Sequence, residues 1–362
     1  ISACDWQHAL MLLEKMQCLL MQSQTITCSS AITSCGLEGR WEEALHLFES
    51  LDHPDLIALN ALISACEKGA AWQAALDLTF VTLPSSLRAN LITYNAALSA
   101  CEKSGQWQQA LAILAQLSDK DAISYNACIS AYGGVSQWQP ALLLMSEVQS
   151  QGLADVVTCA ASVDACSQAG LWQQALLIFF DMQPMVGANV VTYGAAVGAC
   201  ASGFQWQLAV SLLWNACEVY RHVSVILFNM CIAVCESCRR WEMALQLWHE
   251  LQLRSLQTDV MTYSGLISSC SACEQWQAAM ELVSGILSNT AVQPDVVIYN
   301  AAISACVDSG KWELALAFFA DLQFATMQPD VPTYNAAMSA CERNSSWQWA
   351  LHLLGNMRSK KL

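Results

Sequence analysis

The chain has 362 residues, 55% of them hydrophobic and 12% charged, with a mean hydropathy of +0.35. That is too apolar for a disordered polypeptide and supplies apolar surface for a large core. A net charge of −15 and a pI near 4.6 run against the basic face that nucleic-acid-binding proteins normally carry.

The longest apolar run, Val223 to Cys235, is interrupted by Ser224 and Asn229 and falls short of the ~18 residues of a membrane helix, so no membrane partner is expected. Ten of the 18 cysteines (Cys4, Cys35, Cys66, Cys101, Cys166, Cys200, Cys235, Cys270, Cys306 and Cys341) share one repeat column at the end of an apolar helix. A free thiol there acts as a small buried hydrophobe, which points to a reducing compartment rather than a disulfide scaffold. Ile1 falls inside a damaged repeat, so the chain is expected to be a fragment whose targeting segment is out of sight.

Tryptophan marks the period, at Trp6, Trp41, Trp72, Trp107, Trp138, Trp172, Trp206, Trp241, Trp276, Trp312 and Trp347, with spacings of 31 to 36. A period near 35 with no long polar linker predicts an all-α solenoid of helix-turn-helix repeats. The first half of each unit reads like LITYNAALSACEKSG, and the second like WQQALAILAQL with apolar residues at i, i+3, i+4 and i+7. Gly39, Gly105, Gly170 and Gly310 precede the Trp, where the turn between helices favours a residue that tolerates positive φ.

Residues 1–24 read as a truncated repeat. Nine complete hairpins follow at 25–55, 56–90, 91–121, 122–155, 156–189, 190–224, 225–259, 260–295 and 296–330, and 331–362 is a partial terminal repeat. The units at 25–55 and 91–121 are short by about one helical turn. The unit at 190–224, with Gly194 and Gly198 in its first helix, is expected to be the softest. The Trp column needs only packing to explain it, as a ring plugging the gap between neighbouring hairpins.

Two columns ask for more. Twelve positions before each Trp stand Ser29, Asn60, Asn95, Asn126, Ala160, Gly194, Asn229, Ser264, Asn300 and Asn335. Asparagine is a poor helix former, so its enrichment in a first turn calls for another cause. The residue closing each unit is Asp55, Asn90, Asp121, Asp155, Asn189, Ser224, Asp259, Asp295 or Asp330. An Asp, Asn or Ser just before a helix is also an N-cap, which explains part of this second column.

With its V-V-T-Y-N-like openings, best kept as VVIYN at 296 and LITYN at 91, and Pro329-Asp330 at a closing position, the chain resembles the pentatricopeptide repeat family. The likeness covers nearly the whole chain and implies a right-handed α-α superhelix that binds single-stranded RNA, one base per repeat, read by two or three side chains. The Asn or Ser column and the closing residue would contact the base edge. The apolar second residue of each unit, Ile57, Ile92, Ile123, Ile226 and Val297 among them, would wedge between bases, although core packing in a first turn would ask for the same residue types. Lys68, Lys103 and Arg343 occupy the column that would face phosphate; only these three of its ten residues are basic, so modest affinity with a shallow salt slope is expected.

Carried over unit by unit, Asn with Asp implies U at 91–121, 122–155, 225–259 and 296–330. Asn60 with Asn90 implies a pyrimidine. Ser29 with Asp55 and Ser264 with Asp295 imply G, and the units carrying Ala160 and Gly194 would be mute. The implied target is G-Y-U-U-n-n-U-G-U, with the N-terminal unit at its 5′ end, and the implied role is the processing, stabilisation or translation of a mitochondrial or plastid transcript.

Cys235-x-x-Cys238 and Cys270-x-x-Cys273 have zinc-like spacing, but the first Cys of each pair belongs to the repeat column, so no metal or cofactor is expected. No catalytic motif recurs, and no enzyme activity or small-molecule substrate is expected. A protein- or peptide-binding solenoid is the competing reading, favoured by the acidity.

Overall fold

A computed structural model describes residues 25–51, 54–80, 89–117, 119–220, 223–254, 256–273, 275–288, 295–324, 327–343 and 347–359. The truncated repeat at 1–24 lies outside them. The described elements are all helices, arranged as hairpins in two compact units, residues 1–188 and 189–362.

In the first unit the hairpins are α1 (Thr25–Leu37) with α2 (Trp41–Glu49), α3 (Leu56–Lys68) with α4 (Trp72–Phe80), and α5 (Leu91–Lys103) with α6 (Trp107–Gln116). They continue with α7 (Ala122–Gly133) and α8 (Trp138–Ser150), then α9 (Val156–Gln168) and α10 (Trp172–Val186). In the second unit they are α11 (Val190–Ser202) with α12 (Trp206–Val219), α13 (Val225–Ser237) with α14 (Trp241–Leu253), and α15 (Val260–Ala272) with α16 (Trp276–Ser288). The last two are α17 (Val296–Asp308) with α18 (Trp312–Phe324), and α19 (Val331–Arg343) with α20 (Trp347–Ser359). Within each unit every first helix packs on the first helix of the next hairpin, so the hairpins stack side by side. Each second helix begins at its Trp, and the short repeats 25–55 and 91–121 have second helices of 9 and 10 residues, against 13 in α8.

The turn inside eight of the hairpins is built on one backbone device. The residue two before the Trp takes φ between +52° and +75° in Gly39, Ala70, Gly105, Ser136, Gly170, Phe204, Arg239 and Gly310. The next amide then donates back to the carbonyl of the Cys column, as in Arg40 to Cys35 at 3.0 Å, Gln106 to Cys101 at 2.9 Å and Lys311 to Cys306 at 2.8 Å. This left-handed C-terminal cap satisfies a helix-end carbonyl that would otherwise be orphaned. The glycines expected there are present, but four other residues adopt the same conformation without glycine's freedom.

The core lies where the two helices of a hairpin meet. The alanine three residues after the Trp, among them Ala44, Ala75, Ala141, Ala209, Ala244 and Ala315, is fully or almost fully buried in every described hairpin but the last, where Ala350 is half-buried, and lets the helices approach closely. Buried Leu62, Ile63, Leu98, Val197 and Ile232 fill the adjoining space, each contributing roughly 1.5–3 kcal/mol of burial. The described cysteines are free thiols, and burial pushes Cys66, Cys101 and Cys166 up to about 11 and Cys200 and Cys235 up to about 12. They stay protonated at neutral pH and serve as small apolar side chains.

Tryptophan sits where packing placed it but is half-buried, lying against the turn of the next hairpin rather than in the core. Trp107 contacts Tyr132 with ring centroids 5.5 Å apart, and the Arg240 guanidinium covers Trp206 at 5.4 Å. In the unit expected to be softest, helix α11 spans Val190–Ser202, and the thioether of Met230 on α13 lies 3.7 Å from where a side chain on Gly194 would begin.

Candidate functional site

The two polar columns come together in four of the repeats, where the closing residue also begins the next first helix. Each closing residue does cap: Asp55, Asn90, Asp121, Asp155, Asn189, Asp259, Asp295 and Asp330 each accept the amide three residues on at 2.7–3.1 Å, while Ser224 accepts from Ile226 at 3.1 Å. Capping therefore explains the whole closing column, not part of it. It does not exhaust what the acid does.

In four hairpins the closing carboxylate also accepts the side-chain amide of the Asn column. Asn95 Nδ2 lies 3.0 Å from Asp121 Oδ2, Asn126 Nδ2 3.1 Å from Asp155 Oδ1, Asn229 Nδ2 3.0 Å from Asp259 Oδ1, and Asn300 Nδ2 3.2 Å from Asp330 Oδ1. In the latter three, Oδ1 takes the cap, the hydroxyl and the amide, and Oδ2 is left out of these bonds. Because a carboxylate only accepts, it turns the Asn nitrogen toward itself and the Asn oxygen away.

A third column, missed in the sequence, completes the arrangement. The hydroxyl of the third residue of the following first helix bridges the two columns: it lies 2.7 Å from the Asn oxygen in the pairs Thr93–Asn60, Ser124–Asn95, Thr158–Asn126 and Thr262–Asn229, and 2.6–2.8 Å from Oδ1 of the closing residue, so its single proton is shared between the two acceptors. The available signal was that every Asn unit with a closing residue is followed by Thr or Ser at this place, whereas both Ser units are followed by Ala58 or Ile298.

Electrostatics follow from these bonds. Burial pushes the Asp121 carboxyl up, but the Ser124 hydroxyl and amide and the Asn95 amide outweigh it and hold the group below the usual carboxylate range. Asp155, Asp259 and Asp330 follow the same balance, with Thr158, Thr262 and Thr333 as the donors. These acids are ionised at neutral pH.

The apolar second residues resolve an ambiguity left by the sequence. Ile57, Ile92, Ile123, Ile226 and Val297 are exposed, from 45% at Val297 to 70% at Ile57, and Val157, Val191 and Met261 are exposed with them. Core packing does not account for them. Standing three residues before the Asn column on the same helix face, they form a periodic row of solvated branched side chains beside it. Asn126 and Ser29 are buried at 8% exposure, Asn60, Asn95, Asn229, Ser264 and Asn300 are half-buried, and Asn335 is exposed.

The presumed phosphate column is weak. Lys68 is exposed, but Lys103 Nζ lies 2.8 Å from Glu67 Oε1, which Ser99 also engages at 2.8 Å. The side chain of Arg343 lies outside the described residues. Much of the acidic excess sits on second helices, at exposed Glu42, Asp77, Glu242, Glu281, Glu313 and Asp321. Among the described residues no group of three or more His, Cys, Asp or Glu could hold a metal ion, the two CxxC pairs included.

Residues 294–343 match the PPR repeat family and residues 246–309 the pentatricopeptide repeat domain. Residues 26–52, 92–121, 123–153, 163–183, 226–256 and 332–362 match the PPR repeat. Among solved structures the chain is similar to the pentatricopeptide repeat protein PPR10 from maize, with a TM-score of 0.64 and 20% identity over 99% of this chain and 52% of that one. It is similar also to PPR10 in complex with an 18-nt psaJ RNA element, with a TM-score of 0.58 and 20% identity over 99% of this chain and 58% of that one. The chain thus spans little more than half the length of these structures, and at such identity the likeness is one of fold. No curated protein matches it. Matched to this repeat over more than half of its length and folded into the corresponding helical hairpins, the chain belongs to the pentatricopeptide repeat family.

Proposed function

We propose that the chain binds single-stranded RNA, one base per repeat, in the processing, stabilisation or translation of a mitochondrial or plastid transcript. The observation that carries this reading is the solvated apolar row beside the Asn column. Exposed Ile57, Ile92, Ile123 and Ile226 gain nothing from the fold, and the last three each stand one turn from an amide whose bonds leave one donor and one acceptor site. A base stacked between two such side chains would bring its Watson–Crick edge to the amide, and in PPR-type repeats two or three side chains read one base. The solved complex of PPR10 with an RNA element supports the same assignment by fold. The acidic second helices favour a second reading, in which the stacked first helices hold a basic peptide or protein partner.

Binding of a G-Y-U-U-n-n-U-G-U oligonucleotide to the chain and to Asn229→Ala tests the proposal. The expected result is a loss of base preference confined to the seventh nucleotide. No RNA binding at any salt concentration would instead favour the protein-binding reading.

A further inference from the structure

The third residue of the first helix is Ala58, Thr93, Ser124, Thr158, Thr192, Leu227, Thr262, Ile298 or Thr333 in successive repeats. We infer that the hydroxyl in this column is a positioning residue for the base-reading amide of the preceding repeat, so that each Asn reader is built from three side chains on two successive hairpins. This rests on the RNA-reading proposal above.

A primary amide can turn over about its last bond and present a donor where its acceptor stood, which would exchange the base it favours. At Asn95, Asn126 and Asn229 the closing acid holds the nitrogen side and the hydroxyl lies 2.7 Å from the oxygen side. That hydroxyl accepts the N-cap amide, from Asn90 at 3.2 Å and Asp155 at 3.3 Å, and shares its single proton between the Asn oxygen and the closing residue's Oδ1, which ties the two side chains together. Held from both sides, the amide offers its remaining acceptor and donor sites in fixed directions.

A capping box alone accounts for Thr192, where the preceding repeat carries Ala160 and the hydroxyl donates to the main-chain oxygen of Asn189 at 2.9 Å. It does not account for a hydroxyl following all five of Asn60, Asn95, Asn126, Asn229 and Asn300, or for its absence after Ser29 and Ser264. A serine reader has no amide to orient. At Asn300 the bridge is incomplete: Thr333 keeps its bond to Asp330 but does not reach the amide, and Asn300 Oδ1 is buried without a partner.

The test uses the full chain and four RNA oligonucleotides that differ only at the seventh nucleotide, the one facing Asn229. In Thr262→Val the preference for U over the other bases is expected to fall roughly fivefold, the worth of one neutral hydrogen bond, while substitutions at the other nucleotides keep their effects. Thr262→Ser restores it. A uniform loss at all nucleotides with a lower unfolding midpoint, or an unchanged preference in Thr262→Val, overturns the inference while leaving base reading intact. A wild-type chain indifferent to the seventh base overturns base reading itself, and the inference with it. A second construction is independent of any loss of folding: Ser264→Asn with Ile298→Thr should read the eighth nucleotide as the other Asn repeats do, and Ser264→Asn alone should not. Equal behaviour of the two overturns the inference.

Discussion

Asp259 shows how one side chain can serve fold and function together. Its Oδ1 caps α15 through Thr262 and holds Asn229, and its second oxygen takes no part in either. Because these donors lower the folded pKa of Asp121, Asp155, Asp259 and Asp330, their stabilisation is present above the unfolded value of ~3.9 and is lost as pH falls through the lower folded values. Glu102, Asp164 and Glu236, raised by burial, act in the opposite sense and gain stability as pH falls toward their unfolded values. Denaturant unfolding across pH should therefore show greatest stability near pH ~5 and a decline below ~4. A profile flat down to pH ~3 would contradict the ionised caps. Asn and Asp were legible as unusual residues because each stands in a column of its own unit. The hydroxyl partner was not, because Thr262 lies 33 residues from Asn229 and reads, in its own unit, as one more capping residue.

At the scale of the helix, the hairpin boundaries were legible because Trp opens each second helix and an Asp, Asn or Ser precedes each first helix after α1, and the helices begin at those marks. The turn was legible only in half of its copies. Four glycines announced positive φ, while Ala70, Ser136, Phe204 and Arg239 take the same backbone with ordinary side chains, held by the returning hydrogen bond to the carbonyl of Cys66, Tyr132, Cys200 or Cys235. A left-handed residue other than glycine carries a strain of about 1–2 kcal/mol, and Phe204 has its ring exposed, with little packing to lose. Phe204→Gly is thus expected to stabilise the second unit by about 0.5–1 kcal/mol, after allowing for the entropy glycine loses on folding. A lower midpoint in denaturant would show that the ring matters more than the backbone. What composition did not disclose in α11 is the packing: Gly194 and Gly198 leave room, and Met230, unremarkable in its own repeat, lies against it.

Across the molecule, charge and pattern point in different directions. The net charge of −15 argued against a nucleic acid partner, yet many acids stand on second helices, and the caps and the row of exposed apolar residues stand on the first. With Lys103 engaged by Glu67, few cations remain to neutralise phosphate, so affinity has to come from stacking and base-edge contacts. Selectivity would then be high relative to strength. The fold was legible throughout because the repeat restates it; the reading side chains were legible only where a repeat departs from what packing requires, as Asn95 does and Ala160 does not. The most direct measurement is selection of a randomised nine-nucleotide RNA pool on the full chain. The expected enrichment is G-Y-U-U-n-n-U-G-U, with no preference at the two nucleotides facing Ala160 and Gly194. Preference as strong at those two as at the nucleotides facing Asn95 and Asn229, or no enrichment at all, would contradict it.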